Sequence, residues 1–211
     1  MQETKQITSY KQSLRDRILD TVIQAFAERG IKAVRMDDVA HTLGISKRTL
    51  YEIFDTKETV IFEGIKRHNQ LKDEEISRYA KDPSHDVLDI IIHLYRISLK
   101  ESGGLPPSFY EDLFKYPQIV TYMEQKRVQQ KQSFLKFMRR GVEEGFFRSD
   151  INYELVSHQF EALRRYLRDT RLYEKYTFEE LFFNLLFVTL RGFCTPKGIK
   201  KLDLFFDGNR K

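Results

Sequence analysis

Residues 38–54 constrain this chain more than any other stretch, because their pattern fits two short helices around a tight turn. Val39, Ala40 and Leu43 recur at helical spacing and stop at Gly44, and glycine takes the left-handed, helix-ending conformation most cheaply. Ile45 is apolar and can pin the turn to a small core. Ser46 is a good N-cap, its hydroxyl accepting from backbone N–H groups two or three residues on. Leu50, Ile53 and Phe54 then form an i, i+3, i+4 face that points inward. Lys47, Arg48, Thr49, Tyr51 and Glu52 are left outside. A short helix with Lys, Arg, Thr and Tyr at its exposed front suits a DNA major groove, as in a helix-turn-helix whose second helix reads base edges. A purely structural helix pair joined through a glycine shares this spacing, and the stretch alone leaves both readings open.

At 211 residues the chain can bury a full core without staples. Its single cysteine, Cys194, excludes an intrachain disulfide and a cysteine-based zinc site. The first residues, Met1 to Lys5, carry no apolar segment, so no signal peptide is expected. The longest apolar run, Leu181 to Leu190, is broken by Asn184 and Thr189 and is too short to cross a bilayer. These features predict a cytoplasmic protein with no membrane partner. The net charge of +5 does not itself point to DNA. Residues 1–57 carry +2, residues 58–114 carry −4 and residues 115–211 carry +7, so the excess lies away from the candidate DNA helix.

Residues 1–10 are polar and aperiodic, and they read as a loose arm; Lys5 and Lys11 can brush phosphates or simply sit in a disordered tail. From Ser13 to Arg29, Leu14, Ile18, Val22, Ala25 and Phe26 mark a first helix, ended by Gly30. A second helix is expected near Met36–Leu43. With the helix that ends at Phe54 it closes a three-helix unit around Ile18, Val22, Phe26, Val39, Leu43, Leu50 and Phe54.

The segment from Arg17 to Glu63 resembles the N-terminal DNA-binding domain of TetR-type (tetracycline-repressor-like) regulators. The matching residues are Ile18-Leu19, Ala25-Phe26-Ala27-Glu28-Arg29-Gly30, Met36-Asp37-Asp38-Val39-Ala40, Leu43-Gly44-Ile45-Ser46-Lys47, Thr49-Leu50-Tyr51, Phe54 and Lys57-Glu58. The resemblance covers about a quarter of the chain. It implies a DNA-binding set of Arg35, Ser46, Lys47, Arg48, Thr49, Tyr51 and Lys57. Arg48 has the chemistry to reach guanine O6 and N7, and the Thr49 methyl can meet a thymine methyl. Tyr51 stands where the family places a phosphate-bonding tyrosine. Lys57 opens the next helix, where ammonium and helix N-terminus both favour a phosphate. Two departures stand out. Arg35 replaces the usual Ser or Thr before the second helix, trading a cap for a charge. Ile53 replaces a common aromatic or histidine and is expected to pack. Glu52 can accept from cytosine N4, though a carboxylate near phosphates is more often solvated.

A fourth helix starts after Thr56 and its periodicity runs through Val60, Ile61, Ile65, Leu71 and Ile76 to about Ala80, a rod of roughly 36 Å at ~1.5 Å per residue. The domain boundary is expected inside it, giving residues 1–60 and 61–211. Beyond Asp82-Pro83-Ser84, a helix from His85 to Glu101 is apolar on most sides and is expected to be buried. Then follow a loop over 102–107, a short helix from Phe109 to Tyr116, and a long helix from Pro117 to about Glu144. A helix over 152–173 comes next, then one opened by the capping box Thr177-Phe178-Glu179-Glu180 and running to about Phe193. Residues 199–206 suggest a last turn or two of helix. No strand pattern appears, so the fold class is all-α: a three-helix DNA domain joined by a long helix to a helical ligand-binding and dimerisation bundle.

No catalytic or metal-binding pattern emerges. His41, His68, His85, His93 and His158 lack metal-ligand spacing, and there is no Gly-rich phosphate loop. No enzyme activity, metal or cofactor is expected, and Cys194 is expected to be a packed thiol. The chain instead carries 17 Phe and 11 Tyr without Trp, most of them beyond residue 90. Each can be plain core. As a group, the resemblance implies a small apolar or amphipathic effector among Tyr95, Phe109, Tyr110, Phe114, Tyr122, Phe134, Phe137, Met138, Phe160 and Arg164. His93 is either a polar contact there or a satisfied core histidine. The resemblance also implies a homodimer through Leu163, Phe178, Leu181, Phe182, Leu185, Leu186 and Thr189. Together these imply a transcriptional repressor on a near-palindromic double-stranded operator. An activator, a regulator controlled by a protein partner, and a ligand-binding protein with a relic DNA domain are the alternatives.

Overall fold

The computed structural model describes residues 2–102 and 107–207, with side chains from Ser9 onward except those of 107, 108, 110 and 207. It is all-helical, as the periodicities predict. Among the described residues the β structure amounts to one isolated antiparallel bridge between Phe147 and Cys194. The chain forms two compact units, Met1–Glu74 with Gly104–Met123, and Glu75–Gly103 with Glu124–Lys211. The sequence places a boundary near residue 60; the compact units divide after Glu74, and the first takes in a later segment.

In the first unit, α1 spans Gln2–Arg29. Residues 2–10, expected to belong to a loose arm, are therefore helical. Apolar periodicity reports packing, not helicity, and this Gln-, Lys- and Glu-containing stretch is free of Gly and Pro and needs no buried face to be helical. Lys11 is exposed on α1, while the Lys5 side chain lies outside the described residues. Helix α2 spans Met36–Leu43, and its N-cap Arg35 makes no side-chain capping bond. Gly44 ends it at φ 65, its N–H reaching the carbonyls of Ala40 and His41. Helix α3 spans Lys47–Ile53, and the Ser46 side chain accepts from the Thr49 N–H at 3.0 Å. Helix α4 spans Lys57–Lys81, and the Thr56 hydroxyl accepts from Thr59 N–H at 3.1 Å.

The core of this unit joins Leu14, Ile18, Val22 and Phe26 of α1 to Val39, Leu50, Phe54, Val60 and Ile61, with Leu43 and Ile53 packed at its edge. A Cβ at Gly64 would stand 2.9 Å from the Ile23 side chain, so a glycine is what lets α4 lie this close to α1. Helix α6, Pro107–Leu113, adds Phe109 and Leu113 to the same core.

In the second unit, α5 spans Val87–Ser102, capped by the Asp86 side chain, which accepts from Leu88 and Asp89 N–H at 2.9 and 3.1 Å. It is not buried on all sides as its composition predicts: Leu94 is 40% exposed, because it borders an open cavity instead of another helix. Helix α7, Pro117–Glu143, contributes its residues from Glu124 on, and α8 spans Tyr153–Thr170, where Asn152 caps the first N–H groups. Helix α8 stops before the expected Tyr173 because Arg171 turns left-handed (φ 52) and a 3-10 turn, Leu172–Glu174, follows. A non-glycine residue gives no sequence warning of such a stop.

The capping box at Thr177 and Glu180 forms as predicted. It opens α9, Phe178–Leu181, which continues through a π-helical stretch, Phe182–Phe187, into α10, Val188–Gly192. Helix α11, Pro196–Asp207, is longer than the expected turn or two. Tyr95, Phe182, Phe187 and Phe206 form an aromatic centre, with the Tyr95 ring 4.3 Å from Phe182 and 5.3 Å from Phe206.

Candidate functional site

Helix α3 turns one face into the core and leaves the other in solvent. Leu50 is fully buried, while Lys47, Arg48, Tyr51 and Glu52 are exposed and Thr49 is half-buried. The turn geometry follows from local chemistry, Gly44 ending α2 and Ser46 starting α3. The Thr49 hydroxyl lies 2.8 Å from the Ser46 hydroxyl, so the cap also orients Thr49. Lys47 pairs with Asp37 of α2 at 2.8 Å, and this bond raises its pKa. Arg48 pairs with Glu52 one turn on at 2.9 Å. Exposed pairs of this kind hold weakly, so both cations can exchange their carboxylates for phosphates or base edges. Arg35 is exposed just before α2.

Lys57 behaves differently. Its ammonium donates to the carbonyls of Ile31 and Val34, both at 2.7 Å. Burial lowers its pKa, opposed by the nearby Asp112 carboxylate. Two of its three donors therefore hold the turn between α1 and α2. The same turn is also held by Asp112 of α6, a buried carboxylate that accepts from the Lys32 N–H at 3.1 Å. Asp112 also pairs locally with Lys115 at 3.3 Å, but its hold on the turn cannot be read from local sequence, because Lys32 lies 80 positions away.

The second unit holds an apolar cavity of about 470 Å³. Ile76 of α4, Ile90 and Leu94 of α5, Met138 of α7, Phe160 of α8 and Leu190 of α10 are among its walls. Phe134 and Phe137 also line it, so four of the predicted effector residues meet there. Arg164 lines a separate recess of about 260 Å³. The other predictions are corrected. Phe109 is buried in the core of the first unit, Tyr122 packs against that core edge-on to Phe62, and Phe114 also belongs to that unit. Tyr95 is locked in the aromatic centre of the second unit. Aromatic character marked these four as buried without saying in which core. The Tyr110 side chain lies outside the described residues. Ile76, Ile90 and Leu190 were missed because an aliphatic cavity wall and an aliphatic core residue have the same pattern.

His93 is in neither role exactly. Its ring stacks on Tyr79 at 4.0 Å, and its Nε2 lies 3.4 Å from a Glu75 oxygen without a well-aligned hydrogen bond. Cys194 is buried, and burial pushes its thiol up to about 12, so it is not a thiolate at neutral pH. Among the described residues no three His, Cys, Asp or Glu side chains gather as metal ligands, and no helix is long and apolar enough to cross a membrane.

The residues expected at a dimer interface divide. Phe182 is buried in its own core, which removes it from any partner surface. Phe178 and Leu186 pack against that core, and Leu163, Leu181, Leu185 and Thr189 are half-buried. The large apolar side chains left in solvent on these helices are Leu155 (65% exposed) and Tyr166 (56%) of α8 and Val188 (62%) of α10.

Residues 18–63 match the family model of bacterial regulatory proteins of the tetR family. The HTH-type transcriptional repressor KstR2 of Rhodococcus jostii is 28% identical over 171 residues, covering 77% of this chain and 78% of that protein. Two solved structures share the fold. Escherichia coli NemR in its reduced form has a TM-score of 0.62 at 13% identity, covering 86% of this chain and 96% of the other. A protein from Saccharomonospora viridis in complex with choline has a TM-score of 0.58 at 23% identity, covering 72% and 81%.

Proposed function

This chain belongs to the tetR family of bacterial regulatory proteins through its residues 18–63, and on that premise we propose that it is a sequence-specific DNA-binding repressor, a homodimer released from a near-palindromic operator by a small molecule. The observation that carries the reading is α3. Its buried Leu50 anchors it, and Lys47, Arg48, Thr49 and Tyr51 line the side away from the core. Arg48 and Thr49 read base edges, Tyr51, Lys47 and Arg35 take phosphates, and Lys57 holds the turn that sets α2 against the backbone. One such helix covers too few base pairs for tight specificity. Two in a dimer reach successive major grooves about 34 Å apart. The exposed Leu155, Tyr166 and Val188 supply the apolar surface for pairing.

The effector occupies the apolar cavity, whose size falls in the ~300–1,000 Å³ range of ligand sites. One helix serves both functions. Lys57 at the start of α4 holds the α1–α2 turn, and Ile76 near its end lines the cavity. A ligand that fits the cavity better in one position of α4 than another shifts DNA affinity by that difference, and DNA shifts ligand affinity by the same factor. The protein acts by binding alone, in the bacterial cytoplasm. Selection of bound sequences from a random DNA pool tests the reading: two inverted half-sites about one helical turn apart are expected, and recovery of no enriched sequence at physiological salt would overturn it.

A further inference from the structure

Two recesses of opposite character meet between α7 and α8. The 470 Å³ cavity has Gln130 and Ser133 as the polar side chains in its wall, and no charged one. The adjoining 260 Å³ recess is lined by Arg127, Lys131, Arg164 and Glu161, with Ser157. Gln130, Phe134 and Phe160 belong to both walls, so the two spaces share a boundary. Phe134 and Phe160 meet edge to face there, with ring centroids 6.1 Å apart.

The charges in the polar recess are unbalanced. Lys131 already pairs with Glu154 at 3.2 Å, and Glu161 lies 3.6 Å from His158. Among the described residues no carboxylate stands within ion-pair distance of Arg127 or Arg164. These two cations disfavour each other: burial and the charge of Arg127 both lower the pKa of Arg164, and Glu161 offsets this only in part. Two guanidinium groups, Arg164 exposed and Arg127 half-buried, whose charge Glu161 offsets only in part, stand at the edge of an apolar cavity and form a site for an anion whose remainder is apolar. A guanidinium fork matches a carboxylate in two parallel hydrogen bonds, which a cation or a neutral alcohol cannot reproduce.

We propose that the effector is an amphipathic carboxylate, with its apolar body in the cavity walled by Ile90, Leu94, Met138 and Leu190 and its anionic head between Arg127 and Arg164. The inference rests on the cavity being the effector site. It adds the chemical class: the apolar wall accepts many bodies of suitable volume, and the arginines select the head. Gln130, on the boundary, is placed to donate to a second oxygen of the head.

The test uses three ligands with the same ten-carbon body, decanoate, decanol and decylammonium, titrated calorimetrically into the full-length protein below their micelle concentrations. Decanoate is expected to bind at least about tenfold more tightly than decanol, the worth of one charge-assisted hydrogen bond, and decylammonium more weakly than either. In the Arg127→Gln/Arg164→Gln double variant, decanoate is expected to fall to the affinity of decanol while decanol stays unchanged, which also shows that the variant is folded. Equal binding of decanoate and decanol, or a preference for decylammonium, would overturn the carboxylate while leaving the cavity as a ligand site. Failure of all three to bind would overturn the carboxylate and the cavity reading together.

Discussion

The ammonium of Lys57 donates to the main-chain carbonyl of Val34 at 2.7 Å, across 23 positions of sequence. It makes a second bond of the same length to Ile31, so the first residue of α4 is tied to the turn that precedes α2. A hydrogen bond from a charged group contributes about 1.5–3 kcal/mol, and these two are half-buried. Replacing Lys57 with Ala is expected to lower the stability of the protein by roughly 2–3 kcal/mol in urea unfolding. Its DNA affinity should fall evenly for all sequences, because the loss acts through the placement of α2 and α3. A sequence-selective loss with unchanged unfolding would contradict this role.

Arg48 and Glu52 offer a sharper probe of the reading helix. Arg48→Ala should cost about 1–3 kcal/mol of operator affinity and relax preference at one position of each half-site, read by repeating the sequence selection with the variant. Glu52→Ala frees Arg48 from its 2.9 Å partner. An exposed pair of this kind contributes only about 0.3–0.5 kcal/mol, so the melting temperature should hardly move while binding to random DNA tightens. Unchanged affinity for random DNA would show that Glu52 does not restrain Arg48.

Acid sensitivity should trace in part to Asp86. Burial pushes this carboxyl up, but hydrogen bonds from Lys201 and from the main chain of Asp89 and Leu88 outweigh it and leave the pKa lowered. A lowered folded pKa means stability that is fully present above the unfolded aspartate value of about 3.9 and is lost as the pH falls through the folded value. Asn is an equally good helix cap, so Asp86→Asn removes the 2.6 Å ion pair with Lys201 and keeps the cap of α5. Thermal unfolding from pH 7 to pH 3 should show a lower plateau and a shallower acid limb in the variant. An identical acid limb would assign the loss to other carboxylates.

The proposed dimer is best probed where apolar side chains reach solvent. Val188→Glu and Tyr166→Glu place charges on exposed positions, so the monomer fold should survive while the sedimenting mass halves. Leu186 is a poorer probe, because it lines the cavity and a charge there would disturb the chain's own packing. A dimeric mass in both variants would place the interface on another face.

The cavity can be closed from its rim. Leu94 is 40% exposed and lines the space, so Leu94→Trp can fill it without displacing a packed side chain. The variant should bind operator DNA as the parent does and no longer gain thermal stability from decanoate. Continued stabilisation by decanoate would put the ligand elsewhere.

Several local determinants were carried by the sequence. Gly44 and Ser46 set the α2–α3 turn through their own backbone and hydroxyl chemistry, the Thr177–Glu180 capping box closes within four residues, and the spacing of Leu50 and Phe54 marks which face of α3 is hidden. The long polar start of α1 was missed because a helix without a packed face leaves no periodic trace.

Long-range geometry was not legible. Period alone shows that a side chain is buried and not against what, which is why Phe109 and Tyr95 looked like cavity residues and Ile90 and Leu190 did not. Residues 38–54 by themselves determined two short helices around a tight turn, with Lys47, Arg48, Thr49 and Tyr51 on the outer side. That Lys57 and Asp112 fasten the turn before it, and that Arg127 and Arg164 lie beside an apolar cavity, was decided only when the tertiary structure brought together groups that are remote in the chain, because a hydrogen bond or a like-charge contact depends on distance in space.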